Sequence, residues 1–330
     1  MNISIIISTY KRHEDLKIAI DSILKQSTIP KEIIVVDSAN DIYTKQLLTI
    51  YSDNDKGIQT RYIHNPVDST SIAKNVGADA AKGDILLFLD DDVILYEHFI
   101  KEILEAYETY PNASIVQGNI EAKNTITKSR RLWNIIWNRY AQVFYLFHFT
   151  NKKMNILPSG KNTAPLIRDE FLNCQWASGC CLSIKSEVFS HYRFDNKLVK
   201  YSYCEDADLS YRIYKNDSES IYLAPNAKLI HKGSFNKNSP VKAAVIMEKT
   251  YNMYFMAKNL GKTTNYILFF WSEIGAFTRD IIYLFIHIRN MKKYYLFRLM
   301  YSLSAYYICL RHISKIKHLD IEYINERYII

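Results

Sequence analysis

Glycine and proline are scarce, nine and seven residues in a chain of 330, which excludes collagen-like repeats and low-complexity linkers. Cysteine is scarce as well. Cys174, Cys180, Cys181, Cys204 and Cys309 are an odd set without metal-type spacing, in a chain long enough to need no covalent staples. A reducing compartment is the simplest expectation. No run of about 20 residues is free of charge, because Glu273, Arg279, Asp280, Arg289 and the pair Lys292 and Lys293 interrupt every candidate span, so no transmembrane helix is expected. Neither a basic n-region nor a small-residue cleavage site accompanies the apolar start Ile3 to Ile7, so no secretory signal is expected. A cytoplasmic protein follows, peripheral on the inner face of the cell membrane if it docks there. No internal repeat is visible.

What is present is the composition of a globular enzyme: 48% hydrophobic residues and 23% charged residues of both signs, enough to bury a full α/β core. The net charge of +8 admits nucleic acid, an anionic membrane or a phosphorylated substrate. Its distribution decides among them. Basic residues concentrate from Lys123 to Lys153 and from Lys258 onward, interleaved with Trp, Tyr, Phe and Ile. That pattern favours a membrane surface over nucleic acid, and no nucleic-acid partner is expected.

Residues 3 to 8 and 32 to 37 are short apolar runs rich in β-branched residues, as doubly buried parallel strands are. Between them, Leu16, Ala19, Ile20, Ile23 and Leu24 fall at helical spacing, so the unit reads βαβ. A further unit follows, with a strand predicted over 60–64, a helix over 71–81 and a buried strand over 85–89. Further on, the pattern predicts a helix over 96–107, a strand over 114–120, an amphipathic helix over 128–149 and a strand over 175–183. A short helix over 186–191 and a longer one over 205–214 precede two closing strands, 221–223 and 227–231. The domain edge is placed near residue 235. Beyond it the chain is helical and aromatic, either lying in a membrane interface or packing as a cap on protein, including a second subunit of a homo-oligomer.

The strongest local signal is Leu87-Phe88-Leu89-Asp90-Asp91-Asp92, an apolar strand that ends in three carboxylates. Adjacent like charges repel unless a cation neutralises them. Oxygen ligands at alternate positions, Asp90 and Asp92, suit one Mg²⁺ or Mn²⁺ with positions left open for phosphate oxygens. The plainer alternative is the acidic first turn of a following helix. In an open parallel sheet, ligands gather at the carboxyl ends of the strands, where Asp37 and the Asp90 cluster both fall.

Taken in order, Ile3 to Arg12, Ile34-Val35-Val36-Asp37-Ser38, Ala73-Lys74-Asn75-Val76-Gly77, Gly83-Asp84 and Phe88 to Asp92 form a set that resembles the family-2 glycosyltransferases. The resemblance covers about residues 1 to 235; Ser8 stands where that family often has proline. It implies the GT-A fold, a Rossmann-like, mainly parallel mixed sheet flanked by helices, with a nucleotide-sugar-binding half over 1–120 and an acceptor-binding half over 121–235. Residues 236–330 would be the helical, aromatic-rich extension. The resemblance further implies that Thr9, Tyr10 and Arg12 line the nucleotide site and that Asp37 accepts a hydrogen bond from the base, which suits uracil. Lys74, Asn75, Asp90 and Asp91 would contact the nucleoside and diphosphate, and Asp92 would hold the metal.

A second set, Trp176 to Cys181 followed by Tyr203 to Arg212, resembles the acceptor side of the same family. An acceptor hydroxyl needs a base to take its proton, and the resemblance points to Asp206. Trp176, Ser178, Gly179, Glu205 and Asp208 would then contact the acceptor together with Arg212, which could also pair with Asp208 one turn away. His231 matches a histidine that family members often carry near the metal or the diphosphate, and joins Asp90 and Asp92 as a candidate ligand.

The implied enzyme transfers a sugar from a nucleotide diphosphate donor, UDP-sugar favoured, to a hydroxyl of a saccharide or lipid-linked acceptor. With one carboxylate base and no partner nucleophile in view, the anomeric centre inverts. Cell-surface polysaccharide or glycolipid synthesis is the expected setting. Two rivals remain. A nucleotidyltransferase of similar fold usually carries a Gly-rich basic N-terminal loop, absent here, and a non-catalytic sugar-nucleotide or membrane-binding module would not need both Asp92 and Asp206.

Overall fold

The computed structural model describes residues 1–52, 55–121, 128–233, 241–286 and 292–330. Lys123, Arg289 and the expected edge near residue 235 lie outside the described residues, as do the side chains of Arg130, Arg131, Lys292 and Lys293. The chain divides into two compact units, residues 1–124 with 167–235, and residues 125–166 with 236–330.

The first unit opens with β1 (Ile3–Thr9), α1 (His13–Leu24), β2 (Glu32–Asp37), α2 (Ile42–Tyr51), β3 (Gln59–His64), α3 (Thr70–Ala80) and β4 (Ile85–Asp90). β3, β2, β1 and β4 lie side by side, all parallel. β1 and β4 are buried along almost their whole length and β2 throughout, which is why they read as continuous apolar runs instead of alternating ones. Gly77 lets α3 close on the sheet: a Cβ there would stand 2.4 Å from Ile6 Cγ2.

Past β4 comes β5 (Val93–Leu95), with α4 (Phe99–Thr109) starting only after it and β6 (Ile115–Ile120) next. The three aspartates therefore end a strand and do not begin a helix, which removes their reading as a helix cap. After the excursion into the second unit, β9 (Leu172–Asn173), β10 (Cys181–Lys185), α6 (Ser186–His191), α7 (Glu205–Asn216) and β11 (Ile221–His231) complete the unit. The excursion carries α5 (Lys128–Val143), β7 (His148–Thr150) and β8 (Thr163–Pro165). β10 enters antiparallel between β4 and β6, β11 is parallel to β6, and β5 closes the edge antiparallel to β11, with β9 on β11 as well.

Two strand expectations change. The predicted strand over 175–183 is a strand only from Cys181, because its earlier backbone donors go to side chains: Ala177 N to Ser210 Oγ, Ser178 N to Gln117 Oε1 and Gly179 N to Asp206 Oδ2. The two predicted closing strands are one strand whose register shifts between Leu223 and Lys228, around Pro225, which has no N–H for the ladder.

The second unit holds α5 (Lys128–Val143), the parallel pair β7 (His148–Thr150) and β8 (Thr163–Pro165), then α8 (Val241–Asn259), α9 (Thr263–Ile286), α10 (Lys292–Arg311) and short helical turns to the C-terminus. The helix predicted to reach residue 149 stops at Val143, where Tyr145 takes a left-handed φ of 50° and Leu146 N bonds back to Ala141 O. Residues 125–166, expected in the acceptor-binding half, group with the C-terminal helices. Tyr140 Oη donates to Gly275 O, Phe144 stacks on Trp271, and Lys161 pairs with Glu273 at 2.8 Å. Buried ion pairs knit α8, α9 and α10: Lys249 to Glu273 at 2.6 Å, Arg298 to Glu248 and to Asp280 at 2.9 Å each. Among the described residues, no helix is long and apolar enough to cross a membrane.

Candidate active site

The site forms where the carboxyl ends of β1 and β4 meet the end of β11 and the start of α7. Because β1 pairs with β4 as Ser8 to Asp90, Thr9 arrives beside the aspartates, and its hydroxyl donates to Asp91 Oδ2 at 2.8 Å. Arg12, one turn on, bridges two of them: Nη1 lies 2.8 Å from Asp91 Oδ1 and Nη2 3.0 Å from Asp92 Oδ2. Burial pushes the Asp91 carboxyl up to about 7 against the pull of Arg12 and Thr9. Arg12 thus stands on the acidic cluster itself, while Tyr10 is exposed on the loop between.

His231 reaches the cluster because β11 pairs antiparallel with β5, setting His231 opposite Val93, next to Asp92. Its Nε2 lies 3.0 Å from Asp92 Oδ1 and 3.6 Å from Asp90 Oδ2. The hydrogen bond to Asp92 outweighs burial and raises the imidazole to about 9. One ligand atom from each of Asp90, Asp92 and His231 falls within 4.8 Å of the others. Two hard oxygens and an imidazole nitrogen are a donor set that suits Mn²⁺ or Mg²⁺, so these three residues could hold a divalent cation.

The far wall is built from α3, the loop before β10, and α7. Lys74 is 1% exposed, yet its ammonium reaches Glu205 Oε1 at 2.6 Å, Gly179 O at 3.1 Å and Asp90 Oδ1 at 4.0 Å. Burial pulls its pKa down, but the carboxylates of Glu205 and Asp90 more than reverse that, and the net shift is upward. Ser71 Oγ donates to the other oxygen of Glu205 at 3.0 Å. Gly179 is clamped on both sides, its O by Lys74 and its N by donating to Asp206 Oδ2 at 2.8 Å. Asp206 also accepts from Ala207 N at 2.7 Å. Burial raises the Asp206 carboxyl, opposed by those N–H groups and by Lys74.

Several expected contacts are engaged elsewhere. Asp37 caps its own loop, accepting from Ala39 N, Asp41 N and Tyr62 Oη. Asn75 braces the turn after α6, donating to Phe194 O and Asn196 Oδ1 and accepting from Phe194 N. Asp208 binds Arg212 Nε at 3.0 Å, the pair anticipated from their spacing, and Arg212 also donates to Arg193 O. Trp176 is almost fully buried, and Ser178 donates its N–H to Gln117.

Sequence reasoning missed the Lys74 to Glu205 link, since no local pattern joins residues 131 apart. It also missed Tyr201. The turn before α7 puts Lys200, Ser202 and Cys204 at left-handed φ of 58°, 50° and 69°, conformations that persist only where the surroundings over-determine them. Here they are fixed by Thr70 N and Ser69 Oγ, which donate to Lys200 O and Leu198 O, and by Ser202 Oγ, which accepts from Ser71 N. The turn presents Tyr201, 65% exposed, with its hydroxyl in the field of Asp90, Asp206 and Glu205.

Residues 4–189, more than half of the chain, match the family model described as glycosyl transferase family 2. The chain belongs to glycosyl transferase family 2. Among curated family relatives, the glucosyl-dolichyl phosphate glucuronosyltransferase of Haloferax volcanii is 25% identical over 122 residues, 36% of this chain and 38% of that protein. The GalNAc(5)-diNAcBac-PP-undecaprenol beta-1,3-glucosyltransferase of Campylobacter jejuni is 24% identical over 247 residues, 70% of this chain and 71% of that one. Three of the relatives are matched over little more than a third of their own length. In fold, the chain is similar to the mannosyltransferase PcManGT of Pyrobaculum calidifontis, solved with GDP-Man and Mn²⁺, at TM-score 0.56 and 12% identity over 92% of this chain and 85% of that one. GalNAc-T7, solved with UDP, GalNAc and Mn²⁺, gives TM-score 0.53 at 15% identity, over 88% of this chain and 58% of that one. The chain has the GT-A fold, as its motifs imply.

Proposed function

We propose that this enzyme transfers a sugar, with inversion, from a nucleoside diphosphate donor, UDP-sugar favoured, to a hydroxyl of a saccharide or lipid-linked acceptor at the cell envelope. The observation that carries the reading is the convergence of two groups of side chains linked by Lys74, which lies 4.0 Å from Asp90 and bonds Glu205 and Gly179. Asp90, Asp92 and His231 converge on one side, and Asp206 is held by the Gly179 N–H and Lys74 on the other. The acceptor side draws further support from the Campylobacter relative, whose name specifies an undecaprenol-linked substrate.

Asp90, Asp92 and His231 would hold a Mn²⁺ or Mg²⁺ ion, Mn²⁺ favoured because both fold neighbours were solved with it. Bound there, the cation would offset the charge that collects on the departing diphosphate. Asp206 takes the proton of the acceptor hydroxyl. The oxygen's electron pair forms the new bond to the anomeric carbon as the bond to the diphosphate oxygen breaks, and that oxygen leaves with the electron pair. Because burial raises the Asp206 carboxyl, it is a stronger base than an ordinary aspartate while two N–H groups keep it oriented. Thr9 and Arg12 hold Asp91 and Asp92 in place.

The test is donor turnover with UDP-, GDP- and dTDP-sugars, with and without Mn²⁺, in wild type, Asp92→Ala and His231→Ala. One donor should be turned over with a metal requirement. His231→Ala should raise the Mn²⁺ needed for half-maximal rate by about tenfold or more, and Asp92→Ala should abolish turnover. Binding of no sugar nucleotide, with or without metal, would leave the non-catalytic module as the better reading.

A further inference from the structure

The two units carry opposite charge. Residues 1–124 and 167–235 hold 21 Lys and Arg against 28 Asp and Glu, a net −7, and residues 125–166 and 236–330 hold 21 against 6, a net +15. The whole positive balance of the protein therefore lies in the helical unit. Of its six carboxylates, Glu248, Glu273 and Asp280 are taken up by Arg298, Lys161, Lys249 and Arg279 inside the helix packing, and the other three follow α10. α5 and α10 contain no acidic residue, and the two on α9, Glu273 and Asp280, are buried.

The exposed faces of these helices are apolar. On α10, Leu296, Met300, Leu303, Tyr307 and Leu310 recur at steps of four and three residues and are 44% to 62% exposed. On α9, Ile267, Ile274 and Phe285 stand at least half exposed at compatible spacing. Among the described residues of α9 and α10 no exposed acidic residue interrupts these stripes, and exposed Arg311 ends the one on α10; apolar stripes in a unit of net positive charge fit the headgroup region of an anionic bilayer, where the side chains enter the acyl boundary and Lys and Arg meet phosphate. The same stepping would serve a helix of a second copy. Charge decides between them: a copy would bring +15 against +15, and an anionic bilayer brings the complement.

We propose that the helical unit, through the exposed stripes of α9 and α10, docks the enzyme on an anionic lipid bilayer. This deepens the lipid-linked acceptor reading, since it would hold the chain where such an acceptor resides.

The test is co-sedimentation of the full chain with phosphatidylcholine vesicles that contain about 30% phosphatidylglycerol, and with phosphatidylcholine alone. Wild type should partition about tenfold better onto the anionic vesicles, lose that preference as salt rises from about 0.1 to 0.5 M, and be monomeric by light scattering. Met300→Glu with Leu303→Glu, and separately Leu310→Glu, should each cut anionic-vesicle binding about tenfold while the thermal transition stays in place. Equal binding to both vesicles overturns the proposal, as does undiminished binding by both variants. So does a wild-type dimer that the variants convert to monomer without change in sedimentation, which assigns the stripe to a second copy. No donor is needed, so the result is independent of whether a nucleotide sugar is turned over.

Discussion

Replacing Lys74 by methionine removes a cation and keeps most of the volume. In the wild type the ammonium is 2.6 Å from Glu205 Oε1, with both side chains buried. In the variant, Glu205 keeps the Ser71 hydroxyl and loses its charge partner. A stranded carboxylate there would cost about 3–5 kcal/mol. A cheaper route is open, because the carboxyl can retain its proton: burial already pushes Glu205 upward against the pull of Lys74, and the variant removes the pull. The native variant then holds Glu205 protonated, whereas the unfolded chain ionises it at about 4.3. A group with a raised folded pKa contributes stability below its unfolded pKa and loses it as pH rises. Relative to Lys74→Met with Glu205→Gln, which has no titrating group at that position, the single variant should therefore lose about 1.36 kcal/mol per pH unit, or about 2.7 kcal/mol between pH 5 and 7, until it meets the ceiling of about 3–5 kcal/mol. Urea unfolding of the two variants across that range measures it. The gap between them should widen as pH rises. A gap that is constant with pH would refute the reasoning.

Asp206→Asn should lower turnover about 10²–10⁴-fold with the Michaelis constant for the donor little changed, as measured by steady-state kinetics with saturating metal. In the wild type the acid limb of the rate profile should lie above the ordinary aspartate value of about 4, because burial raises the Asp206 carboxyl and the base works only when ionised; a limb at or below that value would argue against Asp206 as the base. Gly179→Ala places a Cβ 3.0 Å from Lys74 Nζ and 3.1 Å from Asp206 Cβ. It should cost about 1–3 kcal/mol of stability and slow transfer about tenfold or more through displacement of Asp206, as urea unfolding and steady-state kinetics would measure.

How much of this was legible depended on whether a feature was local. The parallel core could be read because β1, β2 and β4 are buried on both faces, so each strand announces itself without reference to its neighbours. The Asp90 to Asp92 cluster was legible for the same reason, a strand ending in carboxylates. The segment 175–180 was misread as strand because its apolar and small residues have strand composition, while its N–H groups bond to Gln117, Asp206 and Ser210 from other elements. Residues 125–166 were misassigned because their partners, Gly275, Trp271 and Glu273, are more than a hundred residues away. Tyr201 has no sequence signal at all, since its placement follows from three left-handed residues held by the start of α3.

The position of Lys74 links the two motif sets. Its ammonium lies 4.0 Å from Asp90 in the proposed donor set and bonds Glu205 and Gly179 in the proposed acceptor set, and Gly179 in turn donates to Asp206. An exposed lysine would be screened by water and bring little order to these groups; this one is buried, so its attraction for the carboxylates is strong and its geometry fixed. A ligand that alters the charge at Asp90, a divalent cation above all, must therefore be felt at Glu205 and Asp206 through a single side chain. The proposed base and the proposed metal ligands are therefore coupled through Lys74, and substitutions at Lys74 should disturb metal dependence and acid-limb pH dependence together, where substitutions at Glu205 disturb chiefly the second.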